Sequence, residues 1–107
     1  MKYTDIAKDL VAEHFSVNRK HLIHFGSRRF YANPRHVLAW LLRLYGLSYP
    51  AIGAEMGGRD HTTAMNSVCV VNRTPNLLDI ALALYARIEL ELLTGGINEL
   101  STHNAAN

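Results

Sequence analysis

Asp60, His61, Thr62 and Asn66 follow directly on Gly57-Gly58-Arg59, and their short polar side chains are the types that hydrogen-bond to the edges of DNA bases. In the major groove a carboxylate accepts from the cytosine amino group, imidazole donates or accepts, and threonine adds a methyl group for contact with thymine. The same residue types could move protons, but they lack the partners that catalysis requires. The sequence contains neither a nucleophile motif nor a phosphate-cradling GxxxxGK loop. His21 and His24 stand i, i+3 with no third ligand nearby, which argues for a solvated or packing pair rather than a metal site. The chain therefore reads as a binder and not an enzyme, with no catalytic residue, metal or cofactor expected.

A turn and a helix must aim these groups. Gly57 and Gly58 can take positive backbone angles and stop a preceding helix, and Asp60 offers a carboxylate to cap the next one. In that helix, ending near Asn72, Met65, Val68 and Cys69 are spaced i, i+3, i+4 and are expected to pack inward as an apolar stripe. His61, Thr62 and Asn66 then fall on another side. Cys69, the single cysteine, is expected to be a small buried hydrophobe. Before the glycines, Ser48 caps a short helix carrying Ala51, Ile52 and Met56, and Gly53 is small enough to let the two helices approach closely.

The rest of the chain also reads as helix and turn. Thr4 caps a first helix through about Phe15, with Ile6, Leu10 and Val11 on its apolar face. Asn18 begins a short helix to about His24, and residues 25 to 33 look like a loop in which Phe30 and Tyr31 serve as core or loop-packing aromatics. Asn33-Pro34 is a start signal for a third helix running through Val37, Leu38, Trp40, Leu41 and Leu42 to a stop at Gly46; it is the expected central core helix. Thr74-Pro75 opens a sixth helix whose apolar residues are too many for one narrow stripe. That surplus either covers more of the chain's own core or pairs two copies as a homodimer through residues 77–93. Residues 95–107 are rich in Gly, Asn, Thr and Ser and are expected to form a flexible tail. The expected architecture is all-α: one domain over residues 1–94, a compact bundle of about six helices containing a helix-turn-helix.

Composition agrees with one folded unit. With 107 residues, 49% hydrophobic and 19% charged, the chain can bury a modest core without disulfide or metal, and global disorder is excluded. A lone cysteine fits a reducing compartment, the start of the chain is charged and amphipathic, and no stretch reaches the length of a membrane span. A cytoplasmic, nucleoid-associated location is expected. The net charge of +2 is unevenly spread: residues 1–73 carry 10 Lys and Arg against 5 Asp and Glu, and residues 74–107 carry 1 against 4. The first part suits a polyanion and the last does not.

The stretch Gly57 to Ala64, GGRDHTTA, resembles the signature of the C-terminal DNA-binding domain of DnaA, the bacterial chromosomal replication initiator. The similarity runs from about Asp5 to Asn72 and includes Asp5-Ile6, Val11-Ala12-Glu13 with Phe15, Pro34-Arg35, and Leu47-Ser48 followed by Pro50-Ala51-Ile52-Gly53. It implies an all-helical bundle with a helix-turn-helix whose Asp60, His61 and Thr62 approach base edges in the major groove. Thr63 would lie at the boundary of base and phosphate. Asp60 serves as a base reader, a cap or both; Arg59 either binds a phosphate or is solvated beside Asp60. A second contact region is implied at Arg28, Arg29, Arg35 and His36, with an arginine of the loop in the minor groove and Arg35 on the DNA nearby. Arg43 matches a basic position that meets phosphate.

Two departures from the family pattern stand out. Ser27 occupies the place of the minor-groove arginine, with Gly26 beside it, so that Arg28 or Arg29 would have to reach the groove instead. Cys69 and Val70 occupy places that are often basic, which removes one or two phosphate contacts and makes the expected salt dependence shallower. The resemblance covers a terminal domain without an ATPase, so the expected partner is double-stranded DNA with DnaA-box-like sites such as TTATNCACA. The expected role is a stand-alone replication or transcription regulator. The competing reading is a protein-interaction module that keeps the fold with weakened DNA binding.

Overall fold

The computed structural model describes residues 3–24 and 29–105, without the side chains of His24 and of residues 95–105. Six α-helices run in the order α1 Tyr3–His14, α2 Arg19–His24, α3 Ala32–Tyr45, α4 Tyr49–Glu55, α5 His61–Asn72 and α6 Pro75–Ala105, with a single 3-10 turn at Arg29–Tyr31 before α3. No strand occurs among the described residues. The all-α bundle expected from periodicity is present.

Helix α3 is central because its apolar residues leave little polar circumference: Val37, Leu38, Ala39, Trp40, Leu41 and Leu42 are all buried. Around it gather Ile6, Ala7, Leu10 and Val11 of α1, Ile52 of α4, Ala64, Val68 and Val71 of α5, and Leu77, Ala81, Leu84 and Ile88 of α6, in one contiguous core. Tyr3 fastens α1 to α3 by donating from its hydroxyl to the carbonyl of Leu41 at 3.0 Å, with its ring stacked on Tyr45 at 3.8 Å. Ion pairs Lys8–Glu55 at 2.7 Å, Arg19–Asp5 at 2.8 Å and Arg19–Asp9 at 2.7 Å hold α4 and α2 against α1.

Two helix starts follow local capping chemistry, whereas Thr4, expected to cap α1, lies inside a helix that already includes Tyr3. Asn18 Oδ1 accepts from the amide of Lys20 at 2.8 Å and Ser48 Oγ from that of Ala51 at 3.2 Å, as capping side chains do. Asn33 does not start α3. The 3-10 turn at Arg29–Tyr31 feeds directly into a helix already under way at Ala32, which places Asn33 and Pro34 inside the first turn. Phe30 is 72% exposed, not a core residue, and its ring meets Tyr31 edge-on at 5.0 Å.

Helix α6 buries one line, Leu77, Ala81, Leu84 and Ile88, and exposes Leu82, Leu90, Leu92 and Leu93. The expected domain boundary at residue 94 falls within this helix, and the side chains of the expected tail lie outside the described residues.

Candidate nucleic-acid interface

The turn between α4 and α5 is built from three glycines. The Gly53 carbonyl accepts from the amides of Met56, Gly58 and Arg59 at 3.2, 3.1 and 2.8 Å, folding the chain back over the end of α4. A side chain at Gly53 would collide with the carbonyl of Arg59, so only glycine permits the approach. Gly57 and Gly58 take φ of 86° and 82°, the left-handed region that favours glycine. Beyond them Asp60 adopts an extended N-cap backbone, and its carbonyl receives the amides of Thr63 and Ala64.

Helix α5 presents its residues differently from the expected stripe. Its buried line is Ala64, Ser67, Val68 and Val71, whereas Met65 is 43% exposed and Cys69 is exposed as well. The reason is register: burying Ala64, Ser67, Val68 and Val71 turns Met65 to the flank of the helix and Cys69 towards the side opposite the core. A serine in the core is tolerated because Ser67 Oγ lies 2.8 Å from His36 Nδ1 on α3, the donor depending on the histidine tautomer. Opposite the core, Thr62, Asn66, Cys69 and Arg73 stand i, i+4, i+7, i+11 on one exposed line, with His61 and Met65 beside it. Asn72 closes the helix by accepting from Trp40 Nε1 at 2.9 Å.

Asp60 makes no side-chain capping bond. Its exposed carboxylate sits 3.1 Å from His61 Nδ1. The Thr62 hydroxyl, with smaller help from the His61 charge, holds this carboxyl below the usual range. It is therefore an anion at neutral pH, an acceptor facing outward at the head of α5.

The basic residues divide into two sets. Arg43 is already engaged, donating from Nη1 to the carbonyl of Leu47 at 3.1 Å with its guanidinium 4.2 Å above the Tyr49 ring. Arg35 and Arg59 are not engaged: Nε and Nη1 of Arg35 and Nε of Arg59 are buried and make no hydrogen bond within the protein. Burial first, and then the neighbouring Arg59 charge, lower the affinity of the Arg35 guanidinium for its proton. Burial and the charge of Arg35 likewise push the His36 ring below its ordinary value. Arg29, in the 3-10 turn, and Arg73, at the end of α5, are exposed. Arg28, Ser27 and Gly26 lie outside the described residues.

Asp5, Asp9, Glu13, Glu55 and Glu91 are occupied by Lys8, Arg19 and Arg87 around α1, and no ion pair to Arg35 or Arg59 occurs among the described residues. The like charges of Arg35 and Arg59 thus meet at the turn before the head of α5, where Asp60 carries the opposite charge.

Of the residues singled out by sequence, Asp60, His61, Thr62 and Asn66 are exposed around α5, Thr63 is half-buried beside them, and Arg59, Arg35 and His36 are half-buried next to the same turn. Arg73 escaped sequence reasoning although its spacing of seven from Asn66 and eleven from Thr62 was the available signal. Met65 lies on the exposed flank of α5 and not on its inward face as expected, and the His36–Ser67 contact between two helices left no local signature. No cluster of metal-ligating side chains occurs among the described residues.

Residues 4–71 match the family described as bacterial dnaA protein helix-turn-helix. The chain is 34% identical over 91 residues to the chromosomal replication initiator protein DnaA of Rhizobium meliloti, covering 84% of this chain and 18% of that protein. It is 44% identical over 59 residues to the DnaA proteins of Thermomicrobium roseum and Acinetobacter baylyi, covering 54% of this chain and 13% of each. The chain thus spans less than a fifth of these relatives. No solved structure matches it.

Proposed function

Since the chain belongs to the bacterial DnaA helix-turn-helix family, a DNA-binding fold, we propose that it recognises DnaA-box-like duplexes through α5 and acts as a regulator of replication or transcription at such sites. The observation that carries this reading is the exposed head of α5, Asp60, His61, Thr62 and Asn66, standing beside the un-neutralised Arg35 and Arg59. Base-edge donors and acceptors next to phosphate-seeking charge are what a helix lying in a major groove requires. Thr63, half-buried, lies at the edge of this surface, and the exposed Arg29 and Arg73 extend it toward the DNA backbone; the minor-groove contact expected of Arg28 or Arg29 belongs to the same reading.

A gel shift comparing a duplex carrying TTATNCACA with a scrambled duplex at moderate salt tests the reading. Preference for the box, lost in His61→Ala, is expected; equal affinity for both duplexes, unchanged by His61→Ala, would overturn it and favour a protein-interaction module.

Self-association through α6 is part of the same reading. Leu82, Ala86, Leu90 and Leu93 lie on the side of α6 away from its buried line, all exposed, so a second copy could cover them. Two linked copies would bind paired boxes with high avidity. Light scattering on the purified protein is expected to give a dimer that Leu90→Glu dissociates, and a monomer at high concentration would remove this part.

A further inference from the structure

We propose that Met65 reads a thymine: that its side chain packs against the 5-methyl group of a thymine in the major groove and so contributes to base selection. This rests on α5 being the groove-facing helix. Met65 stands one turn after His61 and one turn before Cys69, with Thr62 and Asn66 beside it, so an exposed apolar side chain sits within a surface otherwise made of hydrogen-bonding groups.

Hydrophobicity alone does not account for its exposure. Ala64, Val68 and Val71 fill the inward face, and the buried position between them goes to Ser67, a polar residue that needs His36 to satisfy it. The helix therefore keeps a polar group inside and an apolar one outside, the reverse of what burial alone would select. The thymine methyl is the one apolar group that the major groove displays at base edges, and apolar side chains are its complement. Methionine suits the task because it is unbranched and polarisable, with enough reach and freedom to follow a methyl whose position varies with the duplex. Cys69, one turn on, continues the apolar strip towards Arg73, whose charge returns the surface to the phosphate backbone.

The test removes the methyl and nothing else. In the duplex that binds best, whether the TTATNCACA box or one recovered from a random library, each thymine of either strand is replaced singly by deoxyuridine. With the wild-type protein, one position or two adjacent ones should each weaken binding about fourfold, the value of about 0.8 kcal/mol for one methyl-sized apolar group. Met65→Ala should bind the all-thymine duplex about fourfold more weakly and be indifferent to the replacement at that position, while Met65→Leu keeps the sensitivity. Met65 is exposed, so both variants should melt with the wild type, which circular dichroism checks.

Identical deoxyuridine profiles for wild type and Met65→Ala, with box preference still lost in His61→Ala, would overturn the assignment and leave the DNA-box reading standing. A changed oligomeric state in Met65→Ala with no change in the profile would make the residue a self-association contact instead. A protein with no preferred duplex at all would remove the base-reading role of α5, and Met65 with it.

Discussion

His36 Nδ1 and Ser67 Oγ meet at 2.8 Å, and through that contact the second turn of α3 fixes the middle of α5. Ser67 is fully buried, so the bond joins two helices at the level where α5 turns its opposite face outward. Ser67→Ala leaves a half-buried ring nitrogen without its protein partner, and a loss of about 1 kcal/mol in unfolding free energy is expected. Urea denaturation measures it. An unchanged midpoint would mean that the contact contributes nothing to stability.

The same histidine predicts a pH dependence. Burial and the neighbouring Arg35 lower the proton affinity of His36 in the folded protein below its ordinary value of 6.5. At pH values between the folded and unfolded pKa the unfolded chain then binds more protons, so stability rises with pH there. The contribution is complete above about 6.5 and is lost as the pH falls through that value towards the folded pKa. His36→Gln removes the titration, and its thermal midpoint should change less than that of the wild type between pH 7.5 and 5.5. Parallel loss of stability in both proteins would assign the effect to other groups.

The three glycines of the turn predict three different costs. Gly53→Ala drives a Cβ against the backbone carbonyl of Arg59, which cannot move without opening the turn, and a loss of about 3 kcal/mol or more is expected. Gly57→Ala combines a positive φ with a Cβ 2.6 Å from the Ile23 carbonyl and should fall between the other two. Gly58→Ala meets open space, so only its left-handed backbone resists, at about 1 kcal/mol. Equilibrium unfolding of the three variants should give the order Gly53, Gly57, Gly58 from most to least damaging. Any other order would contradict the turn geometry.

Much of this was legible in the sequence because it depends on neighbours along the chain. Gly57-Gly58 followed by Asp60 announces a turn and a helix start from backbone preferences alone, and the apolar run from Val37 to Leu42 announces the central helix by its density. The inward face of α5 is not legible in the same way, because Met65-Val68-Cys69 and Ala64-Val68-Val71 both have helical spacing, and hydrophobicity favours the larger residues. Which stripe turns inward is decided by how closely α3 and α4 approach, and small residues win where helices are close. Arg35, Arg59 and His36 stand out in the sequence singly, by type. Their mutual charge and unmet hydrogen-bonding capacity come from bringing the start of α3 against the α4–α5 turn, a relationship between residues 35 and 59 that no local pattern encodes.

That relationship predicts opposite signs for stability and binding. In the free protein Arg35 loses hydration and faces the like charge of Arg59, with buried N–H groups that no protein acceptor meets. Removing it should therefore relieve more than it costs: Arg35→Met is expected to leave thermal stability unchanged or slightly raised, since the apolar side chain keeps the packing of the stem and removes a half-buried charge that no protein group compensates. A DNA phosphate supplies the missing acceptor and counter-charge, so the same variant should bind duplex DNA more weakly. The slope of log affinity against log salt should become shallower by about 0.9 for each phosphate that is no longer neutralised. If Arg35 and Arg59 serve one phosphate, the double variant Arg35→Met, Arg59→Met loses about one such increment, and if they serve two it loses about two. A titration series over a range of salt concentrations with both single variants and the double one distinguishes the cases. An Arg35→Met protein that is markedly destabilised and keeps the wild-type salt slope would show that the guanidinium is a structural element and not a seat for phosphate.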